Sequence, residues 1–120
     1  RAATGDPFDA GRQAFVALEA LRGTTPTAVA CANDQLACGL MMQALAQGMP
    51  VPQGLAVLGF GDFPVGRQLT PALSTVRPPS YDIGRAAAQA LVQAMSSGEP
   101  AAGQALPWQL IARGSTAHGS

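Results

Sequence analysis

Lysine is absent from this 120-residue sequence, histidine occurs once, and only 12% of the residues are charged. Seven arginines balance seven acids at zero net charge, with no basic run. That excludes an electrostatic footprint of its own for DNA or for an anionic membrane surface. Long apolar stretches are missing as well: none approaches the ~18 residues that cross a bilayer. Residues 1–8 lack the basic start and apolar middle of a signal peptide, so the expected location is soluble and cytoplasmic, with no membrane partner. The scarcity of histidine bears on catalysis. His118 lies in the tail STAHGS, far in sequence from any strand end, which leaves a Ser-His-Asp or Cys-His arrangement without its base. Two cysteines, Cys31 and Cys38, fit neither a CxxC redox pair nor zinc-ligand spacing. They are expected as small buried hydrophobes, and no metal, cofactor or enzymatic activity is expected.

What is present is apolar: 48% of the residues, enough for one domain with a sizeable core. From Asp9 to Arg22 the residues Ala14, Phe15, Leu18 and Leu21 recur at helical steps, with Asp6 or Asp9 as a cap and Gly23 after the end. After the breaker TTPT, AVACA (28–32) is a short unbroken apolar run, as in a strand covered on both faces. Gln35 to Gln47 predicts a second helix, ending at Gly48. LAVLGF (55–60) predicts a second strand, broken by GDFPVG, and LSTVR (73–77) a third, stopped by Pro78 and Pro79. Ser80 is placed to cap a helix whose face reads Ile83, Ala87, Leu91 and Ala94, with Gly98 behind it. LPWQLIAR (106–113) alternates and predicts a half-exposed edge strand. Strands alternating with helices imply an α/β fold with a mostly parallel sheet.

In such sheets ligands bind beyond the carboxyl ends of the strands. Asn33, Asp34, Gly61 and Asp62 all follow strands. A carboxamide that both donates and accepts suits adjacent sugar hydroxyls, and a carboxylate accepts from two hydroxyls together. Each has a structural alternative: Asp34 as an acid stabilising free helix amides, Asp62 as a turn residue bonding its own backbone. GFG (59–61) is not a phosphate loop, because the full GxGxxG spacing and an evident following helix are lacking. The chemistry favours recognition over reaction.

The segment PTAVACANDQLACGLMMQALAQGMPVPQGLAVLGFGDF, followed by LTPALSTVRPPSYDIGRAAAQAL and the terminal IARGST, resembles the carboxyl-terminal part of LacI/GalR-family transcription regulators over roughly residues 5–117. Single pieces are weak, but their order and spacing are highly specific. The resemblance implies an incomplete fragment of the periplasmic-binding-protein-like type I fold, a Rossmann-like three-layer sandwich of two subdomains. Residues 1–73 and 104–117 would belong to the carboxyl-terminal subdomain, and 74–98 to an element crossing into the amino-terminal one. A separate helix-turn-helix headpiece, absent from this chain, would bind operator DNA. Asn33 matches a position that contacts effector in some members. Phe8 lies near a ring often placed against the effector, with a shorter spacing to Gly11.

Many relatives carry an acid directly after the Gly-aromatic pair, where this chain has Gly61, with Asp62 one later. Removing a carboxylate removes a repulsion of about 4 kcal/mol at roughly 4 Å and an effective dielectric near 20, which eases binding of an anion. GFGDF with STVRPPSYDIGR also resembles the gluconate-responsive subgroup, so the implied effector is a sugar or a sugar acid, whose carboxylate needs an arginine, either Arg67 or one from the missing subdomain. In the family the helix at 35–47 and the loop after the second strand contribute to a homodimer interface, which implies Leu40, Met41, Met42, Leu45 and Arg67 at such a surface; the alternative for the apolar helix is a wide core face. A transporter's periplasmic sugar-binding protein shares the fold and is the second implied class.

Overall fold

Short parallel strands organise the chain. The computed structural model describes residues 5–21 and 28–117, which divide into two compact units, Arg1–Arg77 with Leu110–Ser120 and Pro78–Gln109. One four-stranded sheet runs in the order β1 (Ala28–Ala30), β2 (Ala56–Phe60), β3 (Ser74–Arg77), β4 (Gln109–Ile111). β1 and β2 pair in parallel with Val29 opposite Val57, and β2 and β3 in parallel with Leu58 opposite Ser74. Helix α2 (Asp34–Ala46) joins β1 to β2 as a βαβ unit. The β2–β3 connection carries only a 3₁₀ turn, Pro64–Gln68, because Pro64 and the surrounding glycines interrupt any longer helix.

Helix α1 spans Pro7–Glu19. It starts two residues before the expected Asp9: Asp6 is the cap, its Oδ1 accepting from Asp9 N at 2.9 Å, and Pro7 supplies the helical φ of the first turn. Arg22 and Gly23, expected at its end, lie outside the described residues, as does the TTPT breaker. α1 packs on α2 at two glycines. A methyl group on Gly11 would collide with the Leu36 carbonyl oxygen, and one on Gly39 with that of Phe8. The two backbones meet because neither position carries a side chain.

The core holds Phe15 of α1, Ala37, Cys38, Leu40, Met41 and Ala44 of α2, and Leu55, Val57 and Leu73 from the sheet and its flanks. Each large side chain there contributes about 1.5–3 kcal/mol over an exposed position. α2 touches β2 on one side and α1 on another. A helix covered twice needs apolar residues around most of its girth, which explains its composition.

In the second unit, helix α3 spans Ser80–Ser97 and ends at Gly98 in the left-handed conformation (φ 74°), as the sequence predicts. One expectation needs correction. Ser80 is the first helical residue rather than the cap, with no side-chain bond to the helix start. The face of Ile83 and Leu91 is exposed at 45% and 62%, and α3 has no buried residue. Periodicity selects the helix; it does not supply a surface to cover it. β4 is shorter than the predicted 106–113, and Trp108 and Leu110 face outward while Ile111 is half-buried. Hydroxyls that follow the strand anchor this segment: Ser115 Oγ donates to Val57 O and accepts from Ser74 N at 2.8 Å.

Candidate functional site

The carboxyl ends of β1, β2 and β3 carry Asn33, the turn Gly61–Asp62–Phe63, and Arg77. Asn33 leaves β1 in an extended conformation and caps α2, its Oδ1 accepting from Leu36 N at 2.9 Å. Asn33, not Asp34, is thus the cap. Asp34 is fully buried, at 0% exposure, and pins the turn after β2. Its Oδ2 accepts from Phe63 N at 2.7 Å and its Oδ1 from Thr75 Oγ1 at 2.7 Å. Thr75 Oγ1 in turn accepts from Asp62 N at 3.2 Å. One buried carboxylate therefore links α2, the β2 turn and β3.

Gly61 adopts φ +118°, and a Cβ there would lie 2.7 Å from the Phe63 ring. The positive φ strains any side chain at this position, and the Phe63 ring crowds it. Asp62 follows at φ +53°, a left-handed conformation that Asp tolerates better than most residues. Its amide bond to Thr75 differs from the expected turn that closes on its own backbone.

The Asp62 side chain, 7% exposed, is ringed by guanidiniums. Arg113 Nη2 donates to Oδ1 at 2.9 Å, Arg77 Nε donates to Oδ2 at 2.7 Å, and Arg67 Nη1 lies 3.6 Å from Oδ1. Burial alone would push this carboxyl up; the bonds and charges of Arg113 and Arg77 outweigh burial and hold it below the ordinary value of 3.8. Arg113 also donates from Nη1 to Leu73 O at 3.0 Å and from its amide to Ser74 Oγ at 2.7 Å. Sequence reasoning named Asp62 and Arg67 but missed Arg77, Arg113 and Thr75. The strand-end rule reaches Arg77, the last residue of β3; nothing local marks Arg113, 51 residues from its partner.

Phe8 sits in the first turn of α1, partly buried against the core. Leu40 and Met41, expected at a dimer surface, are core residues at 2% and 0% exposure, so this protomer's own fold consumes their surface. Met42 is half-buried against the core, Leu45 is 37% exposed, and the Arg67 side chain is 46% exposed. Burial raises the thiols of both Cys31 and Cys38 to about 11, which makes them poor nucleophiles. His118 lies outside the described residues. Among the described residues no group of three His, Cys, Asp or Glu is placed to hold a metal ion, and no helix is long and apolar enough to cross a membrane. Carboxylate, carboxamide and guanidinium groups at one sheet edge are suited to hold a polar small molecule.

Residues 1–116 match the model of the periplasmic binding protein-like domain. The HTH-type transcriptional repressor CytR of Escherichia coli K12 is 39% identical over 116 residues, 95% of this chain and 34% of that protein. The HTH-type transcriptional regulator GntR of Pseudomonas aeruginosa PAO1 is 40% identical over 108 residues, 88% of this chain and 31% of that protein. The chain thus spans about a third of the length of these curated relatives. Among solved structures, a LacI family transcriptional regulator from Arthrobacter sp. FB24 in complex with lactose superposes with TM-score 0.76 at 31% identity, covering 92% of this chain and 41% of that one.

Proposed function

The chain belongs to the periplasmic binding protein-like domain family, in the form carried by LacI-type transcription regulators, and on that premise we propose that it is the effector-sensing and dimerising part of such a regulator, responding to a sugar or a sugar acid such as gluconate. The observation that carries this reading is the convergence of Asn33, Asp62 and Arg77 on the carboxyl edge of a parallel sheet, where open α/β sheets hold their ligands. The Asn33 oxygen caps α2, and its amide nitrogen is the group proposed to meet the effector. Asp34 acts indirectly, by holding the turn that carries Asp62. The lactose complex of the Arthrobacter regulator supports a saccharide-like ligand.

The mechanism is population shift: effector favours one arrangement of the regulator and changes the spacing of two DNA-binding headpieces. Operator DNA is met by the headpiece and not by this neutral chain, and the working place is the cytoplasm. Self-association uses the part of α2 left uncovered at Leu45, beside the half-buried Met42, and the exposed Arg67 of the 3₁₀ turn. The test is calorimetric titration of gluconate, glucose and ribose into the full-length protein, with the 120-residue chain alongside. Saturable binding of at least one ligand to the full-length protein is expected; binding of none would refute the sensing role.

A further inference from the structure

β1 stands first in the sheet order and pairs with β2, so among the described residues its other edge faces no strand. Cys31 N donates to Leu58 O at 2.8 Å on the β2 side. Backbone groups alternate in direction along a strand, which turns the N–H and C=O of Ala30 to the open edge. Ala28–Ala30 carries neither charge nor proline, the residues with which exposed edges avoid pairing.

Against β1 lies a groove of about 360 Å³, walled by Ala14, Ala17, Leu18 and Leu21 of α1 and by Val29 and Cys31 of β1. Every described side chain that lines it is apolar. Ala14 and Ala17 are exposed, and Leu21 is 56% exposed.

Handedness says what belongs there. α2 carries β1 to β2 as a crossover between parallel strands, and such crossovers are right-handed almost without exception. α1 packs against α2 and leads into β1, and both helices line the same groove. A right-handed crossover through α1 in that layer starts from a strand on the side of β1 away from β2. This chain spans about a third of the length of its curated relatives, which leaves chain to supply such a strand.

We propose that a parallel strand from the part of the full-length protein outside these 120 residues docks on the open edge of β1, bonding to Ala30 and laying apolar side chains into the groove beside α1. Its face toward α1 is uncharged, because a charge in this groove would find no partner. The docking is independent of which effector the protein binds.

The test is hydrogen exchange on the full-length protein, read residue by residue by mass spectrometry, with thermal melts of Ala17→Glu and Val16→Glu. Val16 is 52% exposed and lies outside the groove wall. The Ala30 amide exchanges at least about hundredfold more slowly than an unstructured amide, at every protein concentration. Ala17→Glu lowers Tm by about 5 °C or more, since it carries a charge into a covered groove, and Val16→Glu by less than about 2 °C. Exchange of Ala30 at the unstructured rate would overturn the proposal, as would equal shifts in the two variants. Protection that disappears on dilution would give the edge to a second copy of the chain and overturn it likewise. Should Ala17→Glu fail to fold, exchange of the wild type decides alone.

Discussion

Asp62 and Arg113 meet at 2.9 Å although 51 residues separate them in the chain. The pair ties the turn after β2 to the segment after β4, and the Leu73 carbonyl bonded by the same guanidinium brings in the approach to β3. A shielded ion pair adds little over a well-packed apolar pair, but removal of one partner strands the other charge.

Arg113→Met is therefore expected to destabilise the protein by about 2–3 kcal/mol, below the full cost of an isolated buried charge because Arg77 still covers Oδ2 of Asp62. Urea unfolding monitored by circular dichroism measures it. A loss under about 0.5 kcal/mol would mean the pair is solvated and merely adjacent.

Acid should act through the same carboxylate. Its folded-state pKa lies below the ordinary 3.8, so the stability it contributes is present above that value and is lost as pH falls through the folded pKa. Asp62→Asn tolerates the left-handed backbone but lacks the charge. The gap between wild type and Asp62→Asn in urea midpoint is expected to be widest near about pH 7 and to narrow as pH falls below the ordinary carboxyl value of 3.8. A gap that does not change with pH would show that charge plays no part.

Asp34→Ala leaves the Phe63 amide and the Thr75 hydroxyl without their acceptor in a buried site, with an expected cost of about 2–4 kcal/mol. Asn33→Ala removes only a helix cap, with an expected cost of about 1 kcal/mol. Equal losses in the same denaturation series would remove Asp34 from its place as the tie between α2, the turn and β3.

Two glycines should respond with opposite signs. Gly39→Ala drives a methyl into the Phe8 carbonyl, an obstacle that only movement of α1 relieves, for an expected loss of about 2–3 kcal/mol. Gly84, inside α3 with nothing within 4 Å of an added Cβ, should gain about 0.5–1 kcal/mol as Ala. Thermal melts of the two variants give the signs directly.

Much of the candidate site was legible because the carboxyl ends of parallel strands can be read from apolar runs and their breakers. That rule reached Asn33, Asp34, Gly61 and Asp62, and applied to STVR it also reaches Arg77. It did not assign roles. Asn33 takes the cap expected of Asp34, because Asn33 stays extended while Asp34 turns inward toward Thr75.

The sequence by itself determined the elements and some of their ends: Asp6 as one of two candidate caps, Gly98 as a left-handed stop, and three strands between turn-forming segments. These depend on neighbours within about four residues, where backbone sterics and capping bonds act. Tertiary structure decided which apolar faces are covered and which charges meet. Leu40 and Met41 went to the core because α1 closes over α2 at Gly11 and Gly39, while Leu91 of α3 stayed exposed at equal hydrophobicity. The arginines around Asp62 come from a turn, a strand end and the segment after β4, brought together by the sheet, and a local pattern carries no trace of a long-range contact until the sheet has formed.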